Sequence, residues 1–202
     1  MIAVNFVPED LASKERLTDT MMASFEGKVD LDQIVITGAA SGMGLATAEL
    51  LASRGALLSL ADVNAQAVQR AANSLSRFEG QHLAIVVDVR ISKEEDAWMT
   101  ATVENFGELD GALNMAGIIK TAKPITKVTD DEWDMTFTAY LNCLRAQLGA
   151  MRGGASIVSA ASALGQFGSV GNGAYCASKA AVIGLTRTAA KENQTIRVNA
   201  VS

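Results

Sequence analysis

A doubly wound α/β fold, with a parallel sheet between helices in three layers (α/β/α), is the architecture this sequence predicts. Three observations carry that expectation. From about Gln33 onward, short apolar runs rich in β-branched residues alternate with helix-length stretches. Within the runs apolar residues follow one another rather than alternating with polar ones, which marks strands covered on both faces. Strand–helix–strand units repeated along a chain give a parallel sheet with helices on its two sides.

The strands are expected at Gln33–Thr37, Ala56–Ala61, His82–Val87, Gly111–Asn114, Ala155–Ser159 and Thr195–Val201. A helix from about Gly42 ends before Gly55, where a C-terminal glycine stop belongs. Ser92-Lys93-Glu94-Glu95 and Thr129-Asp130-Asp131-Glu132 both carry the capping-box pattern, in which two side chains satisfy two free amides at a helix start. Phe137, Leu141, Leu144, Leu148 and Met151 follow a 4-3-4-3 spacing, one apolar stripe along one helix. Trp98 and Trp133 read as helix anchors against the sheet, His82 as a strand-edge residue and Cys176 as a small core residue. Residues 1–24 have mixed charge and no strong pattern, and are expected to form a surface extension with a short helix over Leu11–Met22. Residues 25–202 are then a single domain.

Composition narrows the function classes. The 202 residues are 49% hydrophobic and 19% charged, enough apolar matter for a packed core. A net charge of −5 argues against nucleic acid or an anionic membrane as partner. No apolar run approaches the ~18 residues of a membrane span. Cys143 and Cys176 cannot supply a disulfide framework, and a single histidine leaves no His-rich metal site and no Ser–His–Asp triad away from His82. A soluble protein of a reducing, cytoplasmic compartment, with no metal, is the expectation.

The first strand runs into Thr37-Gly38-Ala39-Ala40-Ser41-Gly42-Met43-Gly44 and then a helix. Glycines in that place let the backbone approach a pyrophosphate, and the helix N-terminus offers it free amides and the positive end of a dipole. Gly38, Ser41, Gly42, Met43 and Gly44 are therefore candidate cofactor contacts; the plainer reading is a turn needed for packing. Asp62 ends the second strand, where a carboxylate can accept from a ribose 2′-hydroxyl and would repel a 2′-phosphate. With no Lys or Arg at positions 39–43 or 63–64, NAD is favoured over NADP. Asp62 could instead cap the helix after Val63. Asp88, closing the third strand, is placed either to meet an adenine or to face solvent.

Tyr175 and Lys179 are four apart on an expected helix and share a face. A neighbouring ammonium lowers a phenol's pKa by about 1–3 units, toward proton exchange with an alcohol or carbonyl oxygen. Ser162, 13 residues upstream, lies just past the fifth strand at the carboxyl edge of the sheet, where its hydroxyl can bond the same oxygen. A Tyr-x-x-x-Lys pair alone is usually an exposed helix pair; the serine and the glycine turn change its weight.

Taken together, TGAASGMG, Asp62, Asp88-Val89, Asn114-Met115-Ala116-Gly117, Ser162, Tyr175/Lys179 and Ile196 to Val201 resemble the short-chain dehydrogenase/reductase family, in its order, over residues 25–202. The resemblance implies a Rossmann-like sheet. It makes Tyr175 the general acid/base and Lys179 the group that lowers its pKa and holds the nicotinamide ribose, with Ser162 orienting the substrate carbonyl. Asp88, Val89, Asn114, Ala116 and Gly117 would line the cofactor. Residues 142–148 are similar to fungal members that tailor secondary metabolites. Dimers or tetramers through the helices starting near Trp133 and Tyr175 are also implied.

Three departures stand beside the match. Asp30-Leu31-Asp32-Gln33 intervenes before the first strand. Tyr140 stands where the family has a water-holding Asn, and the helix after it reads about one turn short; Asn142, two residues on, points about 200° away. The family continues past the sixth strand with a Pro-Gly turn, a substrate-covering segment and a last strand, so the sequence reads as C-terminally short, with an exposed apolar edge. The expected function is an NAD-dependent oxidoreductase interconverting a secondary alcohol and a ketone through Tyr175. The alternative is a catalytically impaired dinucleotide-binding remnant of such an enzyme.

Overall fold

A computed structural model of the chain describes residues 33–202. The expected extension, its helix over Leu11–Met22 and the insertion up to Asp32 lie outside these residues, while Gln33, the last residue of that insertion, opens the first strand. Six strands are found at β1 Gln33–Thr37, β2 Leu57–Asp62, β3 Leu83–Val86, β4 Gly111–Asn114, β5 Ser156–Ala160 and β6 Arg197–Val201. Six helices accompany them: α1 Gly42–Ser53, α2 Ala65–Leu75, α3 Ser92–Phe106, α4 Asp130–Phe137, α5 Ala139–Ala150 and α6 Gly173–Glu192. All pairings are parallel, in the order β3-β2-β1-β4-β5-β6. The order reverses between β1 and β4, and the crevice outside the carboxyl ends of those strands is where such sheets bind ligands.

The consecutive apolar residues feed two cores. Ile34, Ile36, Leu58, Leu60, Leu113 and Val158 pack with α1 and α2 on one face. Val35, Ala112, Ile157 and Val198 pack with α3, α5 and α6 on the other. Trp98 is the anchor expected of it, fully buried with its indole N–H donating to Ser59 at 2.8 Å. Trp133 is not: it is 42% exposed and stacks on Phe137.

Four local expectations are corrected. Thr129 and Glu132 do form a capping box, but the Ser92 pattern does not. Its helix already includes Ser92, Ile91 stands at the N-cap, and Glu94 turns back to accept from the Asp88 amide at 2.7 Å. The single apolar stripe is also divided. The helix breaks at Thr138, leaving Phe137 and Leu141 exposed while Leu144 and Met151 are buried. β6 is an edge of the described sheet but no apolar one, since Val198 and Val201 are buried and Asn199 is exposed. Cys176 is half-buried rather than core. His82 sits at the start of β3 as expected, its Nδ1 accepting from the Leu58 amide.

Candidate active site

The carboxyl ends of the strands open into a cleft of about 680 Å³. Its floor begins at the glycine turn. Gly38 has φ +64°, and a Cβ there would sit 2.8 Å from the Ala116 amide nitrogen; one on Gly44 would meet the Gly38 carbonyl at 2.2 Å. These approaches bring the loops after β1 and β4 together beneath the cleft. Thr37 ties them, its Oγ1 accepting from both the Met115 and Ala116 amides at 3.1 Å. Ser41 stands at the N-cap of α1 without a capping bond from its side chain, so the first amides of α1 face the cleft uncapped.

Asp62 is held by backbone, Oδ2 accepting from the Ala40 amide at 3.2 Å and Oδ1 from the Asn64 amide at 3.0 Å. Helix capping is left to Asn64, whose side chain accepts from the Ala67 amide. Asp62 is thus fixed on the cleft wall next to the glycine turn. Asp88 pairs with Arg90, and that guanidinium holds its carboxyl below the usual range.

Among the residues expected at the site, Gly38, Ser41, Gly42, Met43, Gly44, Asp62, Asp88, Val89, Ala116, Gly117, Tyr175 and Lys179 all line the cleft. Asn114 and Ser162 do not. Asn114 turns under the sheet edge into a reciprocal amide pair with Gln147, at 2.9 and 2.8 Å, and also donates to Ser159. Ser162 is fully buried, its Oγ accepting from the Leu164 amide at 3.1 Å.

Tyr175 and Lys179 share one face of α6, the Lys179 nitrogen 5.7 Å from the phenol ring centroid. The expected lowering of the tyrosine pKa is not found. Burial pushes the Tyr175 hydroxyl up, with Ser162 beside it offsetting part of the rise. That hydroxyl is buried without a well-aligned partner among the described residues. Lys179 is lowered to about 8 by burial, and its ammonium donates to the Ala160 carbonyl at 2.7 Å. At 5.7 Å, and tied to that carbonyl, it does not outweigh the desolvation of the phenol.

Sequence reasoning left several supporting residues unassigned. Tyr140 bonds Ser159 at 3.1 Å and Thr186 at 2.8 Å, bracing β5 against α6. Asn142 faces the other way, as the helical angle requires, and donates to the Val89 and Arg90 carbonyls. A Cβ on Gly165 would fall 2.7 Å from the Lys179 carbonyl carbon, so only glycine lets the loop after β5 lie on α6 there. The signal for Tyr140, Asn142 and Gln147 was that, with Arg145, they are the polar residues of a mainly apolar helix.

The family model described as short chain dehydrogenase matches residues 32–202. A short-chain dehydrogenase/reductase, aba4, of Botryotinia fuckeliana is 44% identical over 178 residues, covering 83% of this chain and 69% of the relative. The crystal structure of levodione reductase superposes with TM-score 0.80 at 35% identity, covering 84% of this chain and 69% of the other. An NAD+-bound xylitol dehydrogenase gives TM-score 0.81 at 30% identity over 86% of this chain and 71% of its own. The chain thus spans about two thirds of the length of these relatives.

Proposed function

The chain belongs to the short-chain dehydrogenase family, and from that premise we propose that it is an NAD-dependent oxidoreductase interconverting a secondary alcohol and a ketone. The observation that carries the reading is the span of one cleft. Asp62 and Asp88 stand at the β2–β3 end, Tyr175 and Lys179 over β5. Four strand spacings separate β3 from β5, about 19 Å, the reach of an extended dinucleotide.

In this reading the Gly38–Gly44 cradle and the open amides of α1 hold the pyrophosphate. Asp62 accepts from the ribose hydroxyls and repels a 2′-phosphate. Asp88 and Val89 flank the adenine, and Ala116, Gly117 and Lys179 the nicotinamide half, with Asn114 bracing them through Gln147 and Ser159. The bound cofactor supplies the hydride acceptor or donor. Tyr175 exchanges the proton with the substrate oxygen, and Ser162 beside it keeps the phenol oriented. A phenol whose pKa is raised by burial stays protonated at neutral pH, so it is poised to donate to a ketone; alcohol oxidation then gains rate with rising pH. A cytoplasmic, reducing setting fits the two free cysteines. A role in secondary metabolism follows the fungal likeness. Assembly into dimers or tetramers follows the family likeness.

Calorimetric titration of the purified chain with NADH and NADPH tests the reading. NADH should bind at least tenfold tighter, about 1.4 kcal/mol; Tyr175→Phe should lose turnover and keep that affinity. Binding of neither nucleotide would sink the proposal. A second reading, dinucleotide binding without turnover, is favoured by Tyr140, whose hydroxyl is committed to Ser159 and Thr186 where the family places a water-holding Asn. Tight NADH binding with no turnover of any ketone in a broad screen would select it.

A further inference from the structure

Asn142 lies on α5, far along the chain from the loop it touches. Its Nδ2 donates to the Val89 carbonyl at 3.2 Å and to the Arg90 carbonyl at 3.0 Å. Resting on the dinucleotide reading above, we propose that Asn142 is a positioning residue for the adenine half of the cofactor, fixing the cleft wall formed by Asp88, Val89 and Arg90.

The loop needs such a tether. It leaves β3, an edge of the described sheet, and the ladder to β2 ends at Val86. Its amides are held nearby: Val87 donates to the Asp62 carbonyl, Asp88 to Glu94 and Ile91 to the Asp88 carbonyl. The carbonyls of Val89 and Arg90 are met instead from α5, across 53 and 52 residues of sequence. Asn142 is itself immobilised. It is 6% exposed, and its Oδ1 accepts from Arg145 at 3.2 Å, which directs the amide hydrogens to the loop. The next residue, Cys143, is buried against Glu95 of α3, so helix and loop are registered to one another at adjacent positions. On the cleft side Arg90 grips the Asp88 carboxylate within the same loop.

Asn142→Leu removes both donors, and Asn142→Asp keeps the shape while leaving only acceptors opposite two carbonyls. Calorimetry with ADP-ribose, which carries the adenine end without nicotinamide, should show about tenfold weaker binding for each variant. Amide hydrogen exchange should quicken at 88–91 while β1 and β4 stay protected. Leu144→Ala, which opens the core two residues on, should lower Tm with ADP-ribose affinity unchanged. Wild-type affinity in both Asn142 variants would overturn the inference and leave the dinucleotide reading standing. Exchange quickening across the whole sheet would reduce Asn142 to a structural residue and also overturn it. A wild-type chain that fails to bind ADP-ribose would remove the dinucleotide reading, and the inference with it.

Discussion

Lys179 keeps a cation inside the protein, 8% exposed, with its amine lowered to about 8 and bonded to the Ala160 carbonyl. An amine of ordinary pKa in the unfolded chain takes up its proton first as pH falls, so this residue subtracts stability progressively from about pH 10.4 down to about 8. Below that window the penalty is complete. Lys179→Met should therefore raise stability at pH 7 by about 3 kcal/mol, less the lost hydrogen bond, and abolish turnover. Thermal melts at pH 7 and pH 11 check the sign, because the gain should vanish at the higher pH. The residue types of the site were legible in sequence; the direction of two side chains was not. Asn114 shares the sheet face of Ala112, which turns it toward Gln147, a partner 33 residues away. Ser162 is claimed by the Leu164 amide in the turn that follows it. The first outcome depends on pleat parity and a distant partner, the second on the geometry of a turn that the residue types alone do not fix.

At the scale of elements, α3 and α5 meet through a buried carboxyl. Glu95 is fully buried and accepts from the Cys143 thiol at 3.4 Å, while its Oε2 has no partner among the described residues. Burial pushes its pKa up to about 7. A carboxyl raised on folding contributes most below its unfolded pKa, near 4.3, and that contribution is lost as pH climbs through about 7. Glu95→Gln should thus be close to neutral at pH 4 and stabilising by about 3–4 kcal/mol at pH 8, measured by denaturant unfolding at the two pH values. The strands were legible because burial on both faces writes an unbroken apolar run. The helix interruption at Thr138 was not, since Phe137 and Leu141 keep the spacing of a single stripe across the break. The Ser92 box failed because Ser92 already lies inside the helix and Glu95, the residue that would close the box, is buried against Cys143 of α5.

Across the whole molecule, the sheet separates two packed layers, and the reversal between β1 and β4 opens the cleft at one end of both. This much followed from order alone, because parallel strands joined by crossover helices leave few alternative arrangements. The two tryptophans divide along the same line. Trp98 is sealed against β2 by its bond to Ser59, whereas Trp133 lies in solvent on Phe137, a residue of the cleft wall. Their emission should differ accordingly, blue-edged for Trp98 and red-edged for Trp133. Trp133→Phe should strip the red component and leave a spectrum that moves only when the fold is lost; an unchanged emission maximum in that variant would contradict the assignment. The chain thus carries two built-in optical reporters, one for the integrity of its interior and one for the occupancy of its mouth.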